Sequence, residues 1–470
     1  MLKAIDDFVW GVPLIVLILA VGIFLTIRLR GLQITKLSLA IKHMLANEKN
    51  GEHGEVSSFG ALCTALSATI GTGNIVGVAT ALVAGGPGAL FWMWIAALLG
   101  TATKYSECLL AIKYRVVAKD GHIVGGPFYY IENGMGEKWK WLAKIFAFFG
   151  VGVGLLGIGT FTQINGITSA VNNFFDPQNT CTVELFGRTY SWTVVIAGII
   201  LTLCVALVII GGIKRISTVA QVVVPFMALL YVVVVLIVLF THLSAIPGAL
   251  VEIVQSAFGL RAAAGGTLGS ILIAMQMGIA RGIFSNEAGL GSSPIVAAAA
   301  KTNSGVRQGL LSMTSVFVTT ILTCSMTGLV IISSGLMDSS DMNGSTLVTA
   351  AYNMCLPHNI GMYLIAAGIM FFAFTTILGW NYYGERCLVY LTGTTKWIKP
   401  YKIIYIAAIA LAPFLSLEPI WLLADITNAL MIIPNLIAII ALRKVIIGET
   451  KLYFSKQNEE KMSAAVKAVE

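Results

Sequence analysis

Ile70-Gly71-Thr72-Gly73-Asn74 interrupts an apolar helical run, residues 57–84, at its midpoint. Gly71 and Gly73 permit backbone angles that other residues avoid and let a ligand approach the chain closely. The half-helix starting near Gly73 presents N–H groups and a positive dipole end, a seat for a carboxylate. The half-helix ending near Ile70 presents unpaired carbonyls and a negative end, suited to an ammonium or a small hard cation. Thr69, Thr72 and Asn74 add side-chain oxygens beside that backbone. One such break can hold both ends of a zwitterion, or an anion beside a monovalent cation. The plainer alternative is a glycine hinge or a small-residue packing face.

A second candidate break follows at Gly278-Ile279-Ala280-Arg281-Gly282 and Ser285-Asn286-Glu287-Ala288-Gly289-Leu290-Gly291. Arg281 and Glu287 would lie at membrane depth, where charges are costly and are functional or paired. Six residues apart, they share no face of a continuous helix, but unwinding could bring them together as a structural pair or gate. A substrate is expected to touch instead the backbone around Met277, Gly278, Ile279 and Gly282. Lys104 and Glu107, three apart on one helix face, are within reach of each other. They and Glu385-Arg386 read as packing or gating pairs rather than proton relays. Gln163 can hydrogen-bond a ligand or backbone. The hydroxyls of Thr375 and Thr376 can ligate a cation, and Trp380 can wall a pocket. Each of these would serve equally well as a plain helix–helix contact.

Such residues need long apolar elements to carry them. Of 470 residues, 57% are hydrophobic and 11% charged, against about 25% charged in an ordinary soluble domain. This composition predicts an all-α polytopic membrane protein. Runs long enough to span are eleven: 8–27, 57–84, 87–112, 143–174, 192–212, 217–241, 267–300, 306–335, 358–392, 402–417 and 419–442. The first is too long for a cleaved signal and is followed by Arg28 and Arg30, so it reads as a retained helix.

The net charge of +8 is distributed by side, which points to topology and away from nucleic acid. One side receives Arg28, Arg30, Lys36, Lys42 and Lys49; Lys113, Arg115, Lys119, Lys138 and Lys140; Lys214, Arg215, Lys301, Arg307, Lys396 and Lys399; and the tail from Arg443 to Lys467. The other receives Lys3, Arg188 and Arg261. That asymmetry predicts a plasma-membrane (inner-membrane) protein with its N-terminus outside and its C-terminus in the cytoplasm. Seven cysteines lack metal-like spacing. With the scattered histidines they assemble no metal site and no nucleophile–His–Asp set, so an enzyme is not expected and no organic cofactor is implied.

No linker divides the chain, which reads as one membrane domain, 1–444, with a cytoplasmic tail, 445–470. The outward loops 175–191, with Asp176-Pro177 and Thr180-Cys181-Thr182, and 336–357, with Asp341 to Ser345, are too short to capture a substrate. Each candidate break opens a set of five helices, about 57–241 and 267–443. An odd number per half inverts the second half relative to the first, the architecture of secondary transporters with a midplane site. The helix 8–27 stands outside this repeat.

Gly85-Gly86-Pro87-Gly88-Ala89-Leu90-Phe91-Trp92-Met93-Trp94-Ile95-Ala96-Ala97-Leu98-Leu99-Gly100 resembles the signature of the alanine or glycine:cation symporter family. Ala68 to Ile75 and Ala280 to Ser293 are also similar to that family's segments, and the likeness runs from about Trp10 to Arg443. The resemblance implies the five-plus-five inverted fold of the bacterial leucine transporter, preceded by one extra helix. It implies sodium-driven uptake of a small neutral amino acid by alternating access. By that likeness Thr69 and Gly73 hold the substrate carboxylate. Gln163 and the carbonyls of Met277 to Ile279 receive its amine, and Trp380 closes over its side chain. Sodium would take carbonyls of Ser67, Ile70 and Phe372 with the hydroxyls of Thr375 and Thr376. The rival readings are a proton-coupled or exchange transporter of the same fold, or a serine- or glutamine-preferring sodium symporter. A sensor is expected to carry a sizeable soluble output domain, which the short tail does not offer. A channel is expected to have an open polar path, where here a short break is closed by bulky Trp and Phe.

Overall fold

The computed structural model describes residues 2–46, 54–118, 121–157, 159–185, 187–259, 267–338, 342, 344–356, 358, 360–415 and 417–467. Lys49, Lys119, Arg261, Asp341, Asn343 and Pro357 lie outside them. Among the described residues, nine helical stretches are long and apolar enough to cross a membrane. Two further segments, Ser58–Thr69 with Val76–Gly85 and Thr267–Asn286 with Ser293–Ala297, are interrupted.

Lipid and protein sort the helices by composition. Trp192–Ile209 carries Ile196, Ile199, Ile200, Leu203 and Leu207 exposed on its flank. Only 22% of this span is buried, against 78% of the most apolar stretch in Gly88–Lys113. The buried helix is built from Ala, Gly and Thr with Lys104 and Glu107, because the interior of a membrane bundle favours small and polar groups that pack closely or pair. Gly88–Lys113 packs between Val12–Arg28, Thr267–Asn286 and Gly305–Val316. The long helix Ile360–Thr392 lies against Ser58–Thr69, Lys140–Leu156, Phe161–Phe175 and Gly212–Thr241. The second interruption sits between these two helices, and the first lies against Ile360–Thr392.

The structure corrects several boundaries. Residues 278–282 are not unwound, since Thr267–Asn286 runs through them as continuous helix. Gly278 is there for contact: a Cβ added to it would lie 2.3 Å from the Ala89 carbonyl oxygen. The unwinding falls later, between Asn286 and Ser293, where Glu287, Gly289 and Gly291 have φ of 55°, 86° and 80°. The run 143–174 divides into Lys140–Leu156 and Phe161–Phe175. Within 306–335, Phe317–Cys324 is π-helical, a widening common at functional sites. The connections also hold helices Leu37–Ala46, Ile246–Ala257 and Gly344–Cys355. Their apolar content was too short to read as spans.

On one face, Glu55 meets His122 at 2.9 Å, and Arg115 donates to the carbonyls of Ala298, Ala300 and Thr302. On the other, the hairpin Thr182–Leu185 and Arg188–Ser191 is tied to Asp176. That carboxylate accepts the Thr180 N–H at 2.7 Å, the Thr180 hydroxyl at 2.8 Å, the Cys181 N–H at 3.2 Å and the Ser191 hydroxyl at 2.9 Å. The Thr180 backbone bond leads the set that holds its pKa down from 3.8 to about 2. The stabilisation is therefore present above the ordinary carboxylate value and lost as pH falls towards about 2. Hydrogen exchange of residues 180–185, corrected for intrinsic rate, should quicken over that window. In Asp176→Asn it should be fast throughout, and a protein in which the two behaved alike would deny the tie.

Candidate functional site

The helix Ser58–Thr69, capped where the Ser57 hydroxyl accepts the Gly60 N–H at 2.9 Å, stops at Ile70. Ile70 and Gly71 are extended, Thr72–Asn74 form a 3-10 turn, and helix resumes at Val76. Side chains take over from the lost helical bonds. Gly71 N–H donates to Asn74 Oδ1 at 3.0 Å, and Thr72 N–H to Gln163 Oε1 at 3.1 Å. The Asn74 amide donates to Ser285 Oγ at 2.7 Å and to the Thr319 carbonyl at 3.0 Å in the π-helical segment. Its own carbonyl accepts the Thr327 hydroxyl at 2.8 Å. A Cβ on Gly71 would lie 2.6 Å from Thr376 Oγ1, so only glycine fits. Gly73 faces the Phe284 ring.

Oxygens converge where the first half-helix ends. Thr376 Oγ1 donates to the carbonyls of Ile70 at 3.2 Å and Phe372 at 3.0 Å, and Thr375 Oγ1 also reaches the Phe372 carbonyl at 3.0 Å. All are buried, neutral and hard, a donor set suited to a monovalent cation. Ser67 is buried one turn earlier, its hydroxyl bonded to the Thr64 carbonyl at 2.8 Å. The Thr69 hydroxyl is likewise turned into its own helix, onto Ala65 and Leu66.

A cavity of about 390 Å³ adjoins the break, lined by Thr72, Val76, Thr162, Asn165, Arg281 and Trp421 among others. Thr72 Oγ1 and Asn165 Nδ2 are buried in its wall without a hydrogen-bond partner. Buried polar atoms are almost always paired, so these two are atoms beside the cavity with hydrogen-bonding capacity to spare. Arg281 forms another wall, bidentate to Asp425 at 3.1 and 2.9 Å and placed against the rings of Phe284 and Trp421.

The expected Arg281–Glu287 pair does not form; the helix is continuous through Asn286, so the two keep their different faces, and each has another partner. Glu287 accepts the Trp380 indole N–H at 2.9 Å and the Ser292 hydroxyl. Lys104 donates to Ser293 Oγ at 2.6 Å and to the Glu287 carbonyl at 3.2 Å, and lies 4.0 Å from Glu107. Asn435 bridges Glu107 and the Gly289 carbonyl, both at 2.8 Å. Lys104 and Glu107 thus brace the second break, and Glu385 pairs with Arg386 and with Lys402 at 3.2 Å.

Thr72, Gly71, Asn74, Gln163, Ile70, Phe372 and Thr376 therefore meet at one centre, with Gly73 against Phe284. Gly278 and Gly282 instead face Gly88–Lys113, and the carbonyls of Met277, Gly278 and Ile279 belong to an intact helix. Trp380 is fully buried at the second break. Asn165, Thr319, Asp425 and Asn435 were missed. Asn165 stands two residues from Gln163 in the same polar stretch, a signal that was available; the others lie in apolar runs without any local mark.

A helical membrane bundle with its polar centre on interrupted helices defines a membrane transporter. The chain belongs to the sodium:alanine symporter family, whose model matches residues 1–468, and so is no enzyme. It is 43% identical over 470 residues to the sodium/alanine symporter AgcS of Methanococcus maripaludis, covering 98% of each chain. It is 52% identical over 456 residues to an uncharacterized transporter of Haemophilus influenzae, covering 97% and 96%. The crystal structure of MhsT in complex with L-phenylalanine shares the fold, with a TM-score of 0.57 at 13% identity over 86% of this chain and 99% of that one.

Replacing Lys104 by Met strands Glu107 and Glu287 without their cation, a loss of about 3–5 kcal/mol for a broken buried pair. The melting temperature in detergent should fall clearly, and Lys104→Met/Glu107→Gln should recover part of it. A Lys104→Met protein as stable as the parent would remove the brace from this description.

Proposed function

We propose that this protein takes up a small neutral amino acid, alanine or glycine, together with sodium by alternating access. The observation that carries the reading is the pair of orphaned buried atoms, Thr72 Oγ1 and Asn165 Nδ2, in a cavity beside the oxygen cluster of Ile70, Phe372 and Thr376. Sodium would sit on the carbonyls of Ser67, Ile70 and Phe372 with Thr375 and Thr376. The substrate carboxylate would face Gly71, Thr72, Gly73 and the positive end of Val76–Gly85, with Thr69 close by. Its amine would lie towards Gln163 and Asn165. Met277, Gly278, Ile279 and Gly282 would act through helix packing rather than through free carbonyls. Trp380, one turn from Thr376 and bonded to Glu287, would report cation occupancy to the second break.

Eleven spans in two inverted sets of five, after one extra helix, fit this reading. The second, third and fourth helices of one set pack against their counterparts in the other, which supports a two-fold relation without requiring it. We place the N-terminus outside and the C-terminus in the cytoplasm, in the plasma or inner membrane. The basic connections gathered on the Glu55–His122 face support that orientation.

The membrane potential supplies about 2.3 kcal/mol per charge per 100 mV, and a tenfold ion gradient about 1.4 kcal/mol. One sodium per zwitterion then supports several-hundred-fold accumulation. Uptake of labelled alanine into proteoliposomes should stop when choline replaces sodium; uptake that continued would remove sodium coupling. Thr376→Ala should raise the sodium half-saturation about tenfold, as expected for one lost charge-assisted oxygen contact, and an unchanged value would remove Thr376 from the site. Competition by unlabelled alanine, glycine, serine and glutamine reads the substrate directly. The buried Lys104, Glu107 and Glu287 favour proton coupling as the second reading, and uptake driven by a pH jump without sodium would select it.

A further inference from the structure

The first span ends at Arg28. In the tight turn that follows, Arg30 and Gly31 have left-handed backbone, φ 56° and 61°, which turns Arg30 outward. This turn and the short helix Leu32–Thr35 face Arg443–Lys467, the polar helix that follows the last span. Between them lies a cleft of about 520 Å³ whose lining includes four cations, Arg28, Arg30, Lys36 and Lys451. No acidic residue lines it among the described residues. Of the neighbouring acids, Glu449 pairs with Lys113 at 2.7 Å, and Glu459, outside the lining, accepts the hydroxyl of the lining residue Ser455 at 3.2 Å. The Lys36 ammonium stands 4.8 Å over the Phe454 ring, so the floor is partly apolar.

Four like charges converging on one half-enclosed space repel each other unless an anion joins them. Basic residues at the ends of spans are expected for orientation alone. Orientation, however, does not explain why Lys451, from the far end of the chain, completes the ring around the turn after the first helix. We propose that this cleft binds the phosphate headgroup of an anionic phospholipid from the adjoining leaflet. Ile23 and Ile27, 46% and 69% exposed on the span that ends at the cleft, offer the acyl chains a surface beside the bound headgroup. A free phosphate would leave that juxtaposition without a role. The lipid would bridge the N-terminal span, which lies outside the proposed repeat, to the C-terminal helix.

The test uses the full chain in detergent, titrated with phosphatidylglycerol, phosphatidylcholine or inorganic phosphate and followed by native mass spectrometry and thermal shift. Phosphatidylglycerol should bind and raise the melting temperature, and phosphatidylcholine should not. Removing one charge with Arg30→Gln or Lys451→Gln should weaken binding about fivefold, and removing both about twenty-five-fold. Lys451→Arg should keep it. Both positions are solvent-exposed, and the melting temperature of each variant without added lipid serves as the control for folding. Equal phosphatidylglycerol affinity in the parent and the double variant would overturn the proposal. So would inorganic phosphate giving the full stabilisation without lipid.

Discussion

A backbone N–H or C=O left unpaired inside a bilayer costs several kcal/mol, and water is not there to relieve it. The rest of this structure follows from how that constraint is met at Ile70 to Asn74. Asn74 closes the turn onto Gly71 and reaches outward to Ser285 and Thr319, while Gln163 takes the Thr72 N–H. The bonds to Ser285, Thr319 and Gln163 each fix a different helical segment against the break. The polar centre is therefore a junction, in which the first interrupted helix, the third span, the second interrupted helix and the π-helical segment share one set of hydrogen bonds.

The second break meets the same constraint with charge. Its chain passes through Glu287, Gly289 and Gly291 in left-handed backbone; Lys104, Asn435 and Trp380 hold it from outside the turn, and Ser292 bonds Glu287 from within it. The charges at the two breaks are tolerated at this depth because each has a partner within the bundle: Lys104 with Ser293 and Glu107, Arg281 with Asp425. Trp380 and Thr376 lie one turn apart on Ile360–Thr392, so one rigid helix touches both the oxygen cluster and the charged brace. Movement of either break has a direct mechanical path to the other, through packing that has little room to give.

Much of this was legible along the chain. Long apolar runs bounded by basic clusters locate the spans, since only helices satisfy their backbone in lipid. Paired glycines flanked by hydroxyls and an amide locate the first break to the residue. The second was located less well. Gly278 and Gly282 look like helix breakers, yet they serve close packing on Gly88–Lys113, and a glycine's two uses are indistinguishable without its neighbours. The division at 157–160 and the helix Gly344–Cys355 were hidden for a related reason: propensity in an apolar chain does not separate a span from a bend or a short cap.

The sequence by itself determined the class of protein, the position of the first break and the kind of groups that a ligand would meet there. These depend on residue type and local order. The tertiary structure decided who pairs with whom. Asn74 bonds Ser285 across 211 residues, and Arg281 takes Asp425, 144 residues away, in place of Glu287 six residues along. It also left Thr72 and Asn165 with orphaned atoms beside one cavity. Charge and hydrogen-bond partners are chosen by distance in space, and in a bundle of many packed helices that distance has little relation to distance along the chain.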